Sequence, residues 1–236
     1  MTRAFVAGAT GYVGRSVVAE LCARGVETWA HVRPDSSRLA EWTDRFTTLG
    51  AHVDTTVWEA DPMQRRLAEL QPTVVFALLG TTKARAERAA QEGGPPSDYE
   101  AVDYGLTAML LHAALAMANG PRFVYLSAAG VSPDTRSDYL SVRARIEREL
   151  RASGLHYVIA RPAFVTGDDR DENRPVERWS ARLGDAALSV LGLLGAGRLR
   201  NRWSSITGHE LARGLVRLAL DPATADVVVQ SDALRA

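Results

Sequence analysis

Two periodicities take turns along this chain. Ala4-Phe5-Val6-Ala7 is a short apolar run of the kind a buried strand presents, and Arg15 to Arg24 then repeats apolar residues at helical spacing until Gly25. Thr28 to Val32 reads as a second strand, Ser36 to Leu49 as mostly helix closed by Gly50, and Val53 to Trp58 as a third strand. Pro62 falls in the first turn of a short helix that runs to Gln71-Pro72. Thr73 to Leu79 is almost purely apolar, as a strand covered on both faces should be. A long helix over Asp98 to Ala118 follows, stopped by Asn119-Gly120-Pro121, then a strand over Phe123 to Ser127. Asp138 to Ala152 is helical, Tyr157 to Ala160 a sixth strand, His209 to Leu220 a last helix and Val227 to Val229 a last short strand.

Strands alternating with helices call for right-handed crossovers. They predict an α/β fold with a doubly wound parallel sheet of Rossmann type, strand order 3-2-1-4-5-6. The expected organisation is one domain over residues 1–236, with 166–206 as a lid on the substrate side, because the alternation breaks there. A dimer surface or plain packing accounts for that segment equally well. In such a sheet the site lies beyond the carboxyl ends of the strands, so the residues following them carry the chemistry.

Composition narrows the classes. The 28 basic and 28 acidic side chains cancel, and their scatter gives no footprint for nucleic acid or an anionic membrane. No apolar run is long enough to span a bilayer. The amino terminus has no signal-peptide pattern, so the expected compartment is the cytoplasm. The single cysteine, Cys22, reads as a small core side chain, and no His/Cys spacing supports a metal, including at the charged loop 168–172. His31, His52, His112, His156 and His209 are dispersed and read as packing or surface. Trp179 and Trp203 line either the pocket or the core.

The strongest motif is Gly8-Ala9-Thr10-Gly11-Tyr12-Val13-Gly14, set between a strand and a helix. Glycines let the chain turn sharply and approach a pyrophosphate, while the helix start presents N–H groups and the positive end of its dipole. Gly8, Thr10, Gly11, Tyr12, Val13 and Gly14 are therefore expected cofactor contacts. At the end of the second strand, where an acid would read the ribose of NAD(H), stands Arg33, with Arg38 nearby. A guanidinium suits the extra phosphate, which favours NADP(H) over NAD(H); a solvated pair of arginines is the plain alternative, and Asp35 complicates the choice. Asp61 either accepts from the adenine amino group or caps the helix before Pro62. Lys83, the only lysine, stands just past the fourth strand as either a replacement cation or a solvated side chain.

The glycine turn, Arg33, Leu79-Gly80-Thr81-Thr82, Leu126-Ser127, Tyr139-x-x-x-Arg143 and Arg161-Pro162 occur in this order and together resemble the atypical or extended short-chain dehydrogenases, NmrA-like proteins included. Asp169-Arg170-x-Glu172-x-Arg174-Pro175-x-Glu177 looks like the signature of the Tat-interactive oxidoreductase branch. The resemblance implies a catalytic set: Tyr139 as proton donor and acceptor, Ser127 positioning the reacting oxygen, and Arg143 standing where relatives carry lysine. It also implies cofactor contacts from Leu79, Gly80, Thr81, Arg143, Pro162, Ala163 and Phe164, with Arg161 in a structural pair; Lys83 joins the candidate cofactor contacts by its position just past the fourth strand. Residues i and i+4 share a helix face, so arginine keeps the charge beside the phenol, but it cannot surrender a proton. Ala128 and Ala129 fill places where relatives often carry a second hydroxyl.

The expected function is an NADP(H)-dependent oxidoreductase for a small carbonyl or hydroxyl compound. Two alternatives are a non-catalytic NADP(H)-sensing regulator with a protein partner and an epimerase- or dehydratase-like enzyme. A homodimer through helices 98–118 and 138–152 is a further expectation.

Overall fold

In the computed structural model, which describes residues 1–80, 99–135, 137–163, 165–166 and 205–235, the apolar runs form one parallel sheet. Its strands are β1 (Arg3–Ala7), β2 (Glu27–His31), β3 (His52–Asp54), β4 (Val74–Ala77), β5 (Arg122–Leu126), β6 (Tyr157–Arg161) and, at the edge, β9 (Val227–Gln230). Their order is β3-β2-β1-β4-β5-β6-β9, the expected order extended by one strand. Two short strands, β7 (Val165–Thr166) and β8 (Ile206–Thr207), pair separately and flank residues 167–204. Those residues, which hold most of the expected lid, lie outside the described ones.

Helices cover both faces because the central strands are apolar on both sides: every residue of β4 is buried. One face packs under α1 (Tyr12–Ala23), α2 (Leu39–Thr48) and α6 (Gly208–Leu220), around Val6, Val17, Leu21, Phe46, Phe76 and Leu215. The other packs under α3 (Ala60–Leu70), α4 (99–115) and α5 (Asp138–Ala152), around Phe5, Met63, Leu67, Leu111, Phe123 and Ile146. Helix α4 begins with a wide π winding over Tyr99–Leu106 and tightens to α over Thr107–Leu115. A short helix α7 (Ser231–Arg235) ends the chain.

Several boundaries differ from the sequence expectation, and three of them bear on the site. Helix α1 starts three residues earlier, immediately at the glycine turn. Strand β3 stops at Asp54, because that side chain accepts the Thr56 N–H and bends the chain out of the ladder. Helix α3 starts at Ala60 with Glu59 as its N-cap, so Asp61 is an exposed first-turn acid rather than a cap.

His31 ends β2 and is buried. Its Nε2 lies 2.7 Å from the Thr56 carbonyl, and Phe5 and Trp58 pack on its ring. Burial lowers its pKa below the ordinary value of 6.5, against the opposing pull of Thr56 and Asp54. The unfolded chain therefore takes up the proton first. Stability is full above about pH 6.5 and falls as the pH drops below it. Melting temperatures from pH 7.5 downward should show this decline, and His31→Gln should flatten it; an unchanged slope in the variant would contradict the assignment.

Candidate functional site

The carboxyl ends of β1, β4, β5 and β6 share one edge of the sheet. Strand β1 delivers Gly8 with φ of +81°, and a Cβ there would lie 2.6 Å from the Leu78 carbonyl oxygen that extends β4. The Gly11 N–H closes the turn onto Gly8 O at 3.0 Å, and a Cβ on Gly14 would collide with that same oxygen. Gly11 then caps α1 with no side-chain hydrogen bond, and the first turn carries no acid. Its N–H groups have no carbonyl one turn back and face outward with the positive end of the helix dipole. A pyrophosphate fits this cradle, and its close approach is what the missing Cβ atoms permit. Thr10 is half-buried within the turn. Tyr12 does something the motif does not announce. Its hydroxyl donates to Thr166 O at 3.2 Å and its ring packs against Gly208, which braces the turn against β7 and α6.

Beyond β2, Arg33 is exposed and lies 3.5 Å from Asp35, a long contact between two solvent-exposed groups. Arg38 is held differently, with two bonds to Glu41 at 2.7 and 2.5 Å and its guanidinium 4.8 Å from the Trp42 ring centre. Of the two arginines, Arg33 is the one able to turn toward a phosphate at low cost.

Helix α5 carries Tyr139, Arg143, Glu147 and Arg151 at four-residue spacing, one above another on a single face. The Arg143 guanidinium sits 4.5 Å from the Tyr139 ring centre. It is buried, donates to Asp103 at 2.9 Å and to Leu126 O at 2.7 Å, and packs so close to Gly80 that a Cβ there would lie 3.2 Å away. These contacts make Arg143 a brace between α4, α5 and the ends of β4 and β5. Tyr125, buried beside this pair, keeps its proton: burial pushes its phenol well up, with the Arg143 charge the main opposing influence. Tyr139 itself is half-exposed at the start of α5, within reach of a ligand.

Ser127 follows β5 and is buried. Its hydroxyl donates to Glu147 at 2.6 Å, and Glu147 in turn takes Arg161 on both oxygens, at 2.8 and 2.5 Å, and Arg151 at 3.0 Å. The expected oxygen-positioning donor has therefore already given its hydrogen away. Arg161 is in the structural pair that the resemblance implied. Pro162 is buried with its carbonyl on the Ala129 N–H, and the Ala163 N–H donates to Ser231 at 3.0 Å. Thr81, Lys83, Phe164, Trp179, Trp203 and the charged loop lie outside the described residues. Of two clefts of about 500 and 480 Å³, the second is lined in part by Glu147, Arg151 and Arg161; neither is lined by Tyr139, Ser127 or the three glycines.

Sequence reading missed Asp103, Glu147 and Asp54. The first two are buried partners that a linear motif does not display, although the i, i+4 ladder on α5 marks Glu147. Asp54 is 2% exposed and meets Arg66 at 2.5 Å, anchoring the loop after β3. Among the described residues no cluster of metal-binding side chains occurs, and no helix is long and apolar enough to cross a membrane.

Comparison with known proteins agrees with this geometry. The model of a family described as NAD(P)H-binding matches residues 8–187. An Aspergillus terreus protein, fmp52-1, mitochondrial, is 29% identical over 234 residues, 95% of this chain and 90% of its own length. A Bacillus halodurans structure, solved as a candidate NAD-dependent epimerase/dehydratase, superposes with a TM-score of 0.68 at 18% identity, covering 100% of this chain and 99% of that one. UDP-glucose 4-epimerase of Bifidobacterium longum, in complex with NAD⁺ and UDP, superposes with a TM-score of 0.69 at 16% identity over 98% of this chain and 78% of its own. At these identities the structures establish the shared fold. The relatives also correct the compartment: several carry the designation mitochondrial, which overturns the cytoplasmic expectation. Lack of a secretory signal pattern had been its only basis, and that lack does not separate cytoplasm from mitochondrion.

Proposed function

Since this chain belongs to the NAD(P)H-binding family, in the atypical short-chain dehydrogenase branch, we propose that it is an NADP(H)-dependent oxidoreductase of a small carbonyl or hydroxyl compound. The observation that carries the reading is the uncapped, acid-free start of α1 on a glycine turn, on the sheet edge where Tyr139 stands over Arg143. Bound NADP(H) supplies the hydride chemistry. The chain's own residues do the rest. Gly8, Gly11 and Gly14 admit the pyrophosphate, Arg33 meets the 2′-phosphate, and Tyr139 gives or takes the proton on the substrate oxygen. Arg143, locked by Asp103 and Leu126 O, keeps the phenol in place from below.

Tyr139→Phe tests this assignment. It should lower turnover by about a hundredfold or more while leaving NADPH affinity within about twofold. Undiminished turnover contradicts the role given to Tyr139.

A second reading, a cofactor-occupied regulator without turnover, draws on one specific observation: the Ser127 hydroxyl and the Arg143 guanidinium are both bonded within the protein. It predicts a protein partner whose capture depends on NADP(H), and a pull-down indifferent to the nucleotide contradicts it.

A further inference from the structure

The oxidoreductase reading above leaves open which form of substrate the site holds, and the geometry around Ser127 bears on it. A hydroxyl has one hydrogen to donate and two lone pairs to accept with. Ser127 gives its hydrogen to Glu147 at 2.6 Å, and the two residues are 4% and 2% exposed. Glu147 does not reciprocate, because Arg161 grips both of its oxygens and Arg151 adds a third bond. A carboxylate in that grip accepts and does not donate, which fixes the direction of the bond. The Ser127 N–H is anchored on Ala160 O at 2.8 Å, so the side chain is held from both ends. Ala128 and Ala129 bring no other hydroxyl. Whatever oxygen reaches Ser127 meets lone pairs alone.

We propose that Glu147 is a specificity-determining positioning residue: by holding the Ser127 hydrogen it turns Ser127 into an acceptor, and the site selects an alcohol over the matching carbonyl compound. In the resting complex an alcohol donates its one O–H hydrogen to Ser127, and that hydrogen turns to Tyr139, which takes it as the hydride leaves. A carbonyl oxygen set against the same lone pairs leaves two acceptors facing each other, which is the arrangement buried polar sites reject most strongly.

Rates in the two directions are tied by the overall equilibrium, so the test reads binding. In Tyr139→Phe protein loaded with NADP⁺, turnover is slowed by about a hundredfold or more, so cyclohexanol and cyclohexanone can each be titrated, within the time of the measurement, onto one and the same species. Cyclohexanol should bind about tenfold more tightly or better. Adding Ser127→Ala should bring the ratio close to unity without a change in NADP⁺ affinity. Adding Glu147→Gln, whose amide can donate to Ser127 and turn its hydrogen outward, should move the ratio toward the ketone. Equal binding of the two probes, or a preference that survives Ser127→Ala, overturns the inference and leaves the oxidoreductase reading standing. Binding of NADP⁺ with neither probe bound overturns both. Where Glu147→Gln fails to fold, the Ser127→Ala comparison decides alone.

Discussion

Gly14→Ala should abolish cofactor binding and lower stability by roughly 3 kcal/mol, the upper end of what overpacking costs. A single methyl group has this effect because of where it lands: against the Gly8 carbonyl oxygen and within 2.9 Å of the Ala9 Cα. Both are backbone, so no side chain can swing aside. Gly8 is confined as well, since even a Cβ added to it would lie 2.6 Å from the Leu78 carbonyl oxygen, and its φ of +81° favours glycine. The strain must open the turn, which separates the first-turn N–H groups of α1 from the place a pyrophosphate would occupy. Urea unfolding and an NADPH titration of the same sample measure the two consequences. Gly25→Ala is the control, because a Cβ there meets nothing within 4 Å and its strain is conformational only. Gly14→Ala protein with ordinary stability and ordinary NADPH affinity would contradict the assignment of the turn.

Asp103→Asn should cost about 3–5 kcal/mol, the range for removing one partner of a buried ion pair. Arg143 and Asp103 side chains are 6% and 2% exposed, so the stranded guanidinium has no water to turn to. Its Nε already lacks a partner among the described residues. For a chain of this size that loss should lower the melting point by about 10 °C, largely independent of salt. Breaking the exposed Arg38–Glu41 pair with Glu41→Gln should leave the melting point almost unchanged, because both groups stay hydrated. Equal effects in the two variants would mean that Asp103 is not the counter-charge of Arg143.

What the sequence disclosed and what it hid follow from one distinction. Strand order, the two helical layers and the glycine turn are written in local patterns: apolar runs such as Val74–Ala77, helical spacing in α5, and three glycines between strand and helix. The expected cofactor-turn residues take their places from that local code. Pairings across the fold are not local. Arg143 reads as a lysine substitute until Asp103, forty residues earlier, is found beneath it. Ser127 reads as a donor until Glu147 is found to hold its hydrogen, and Tyr12 reads as a cofactor contact with no sign that Gly208 and Thr166 close on it. The π winding that carries Asp103 is likewise absent from the apolar pattern, which fits an ordinary α-helix over the same residues. The compartment was misjudged for a different reason, since the sequence reading relied there on the lack of a signal.

The most direct test of the account is a fluorescence titration of the purified protein with NADPH, NADP⁺, NADH and NAD⁺, repeated on Arg33→Ala. The account predicts micromolar NADPH binding, NADH at least about tenfold weaker, and loss of that difference in the variant. Failure to bind any of the four nucleotides would contradict the cofactor site at Gly8–Gly14 and the oxidoreductase reading built on it.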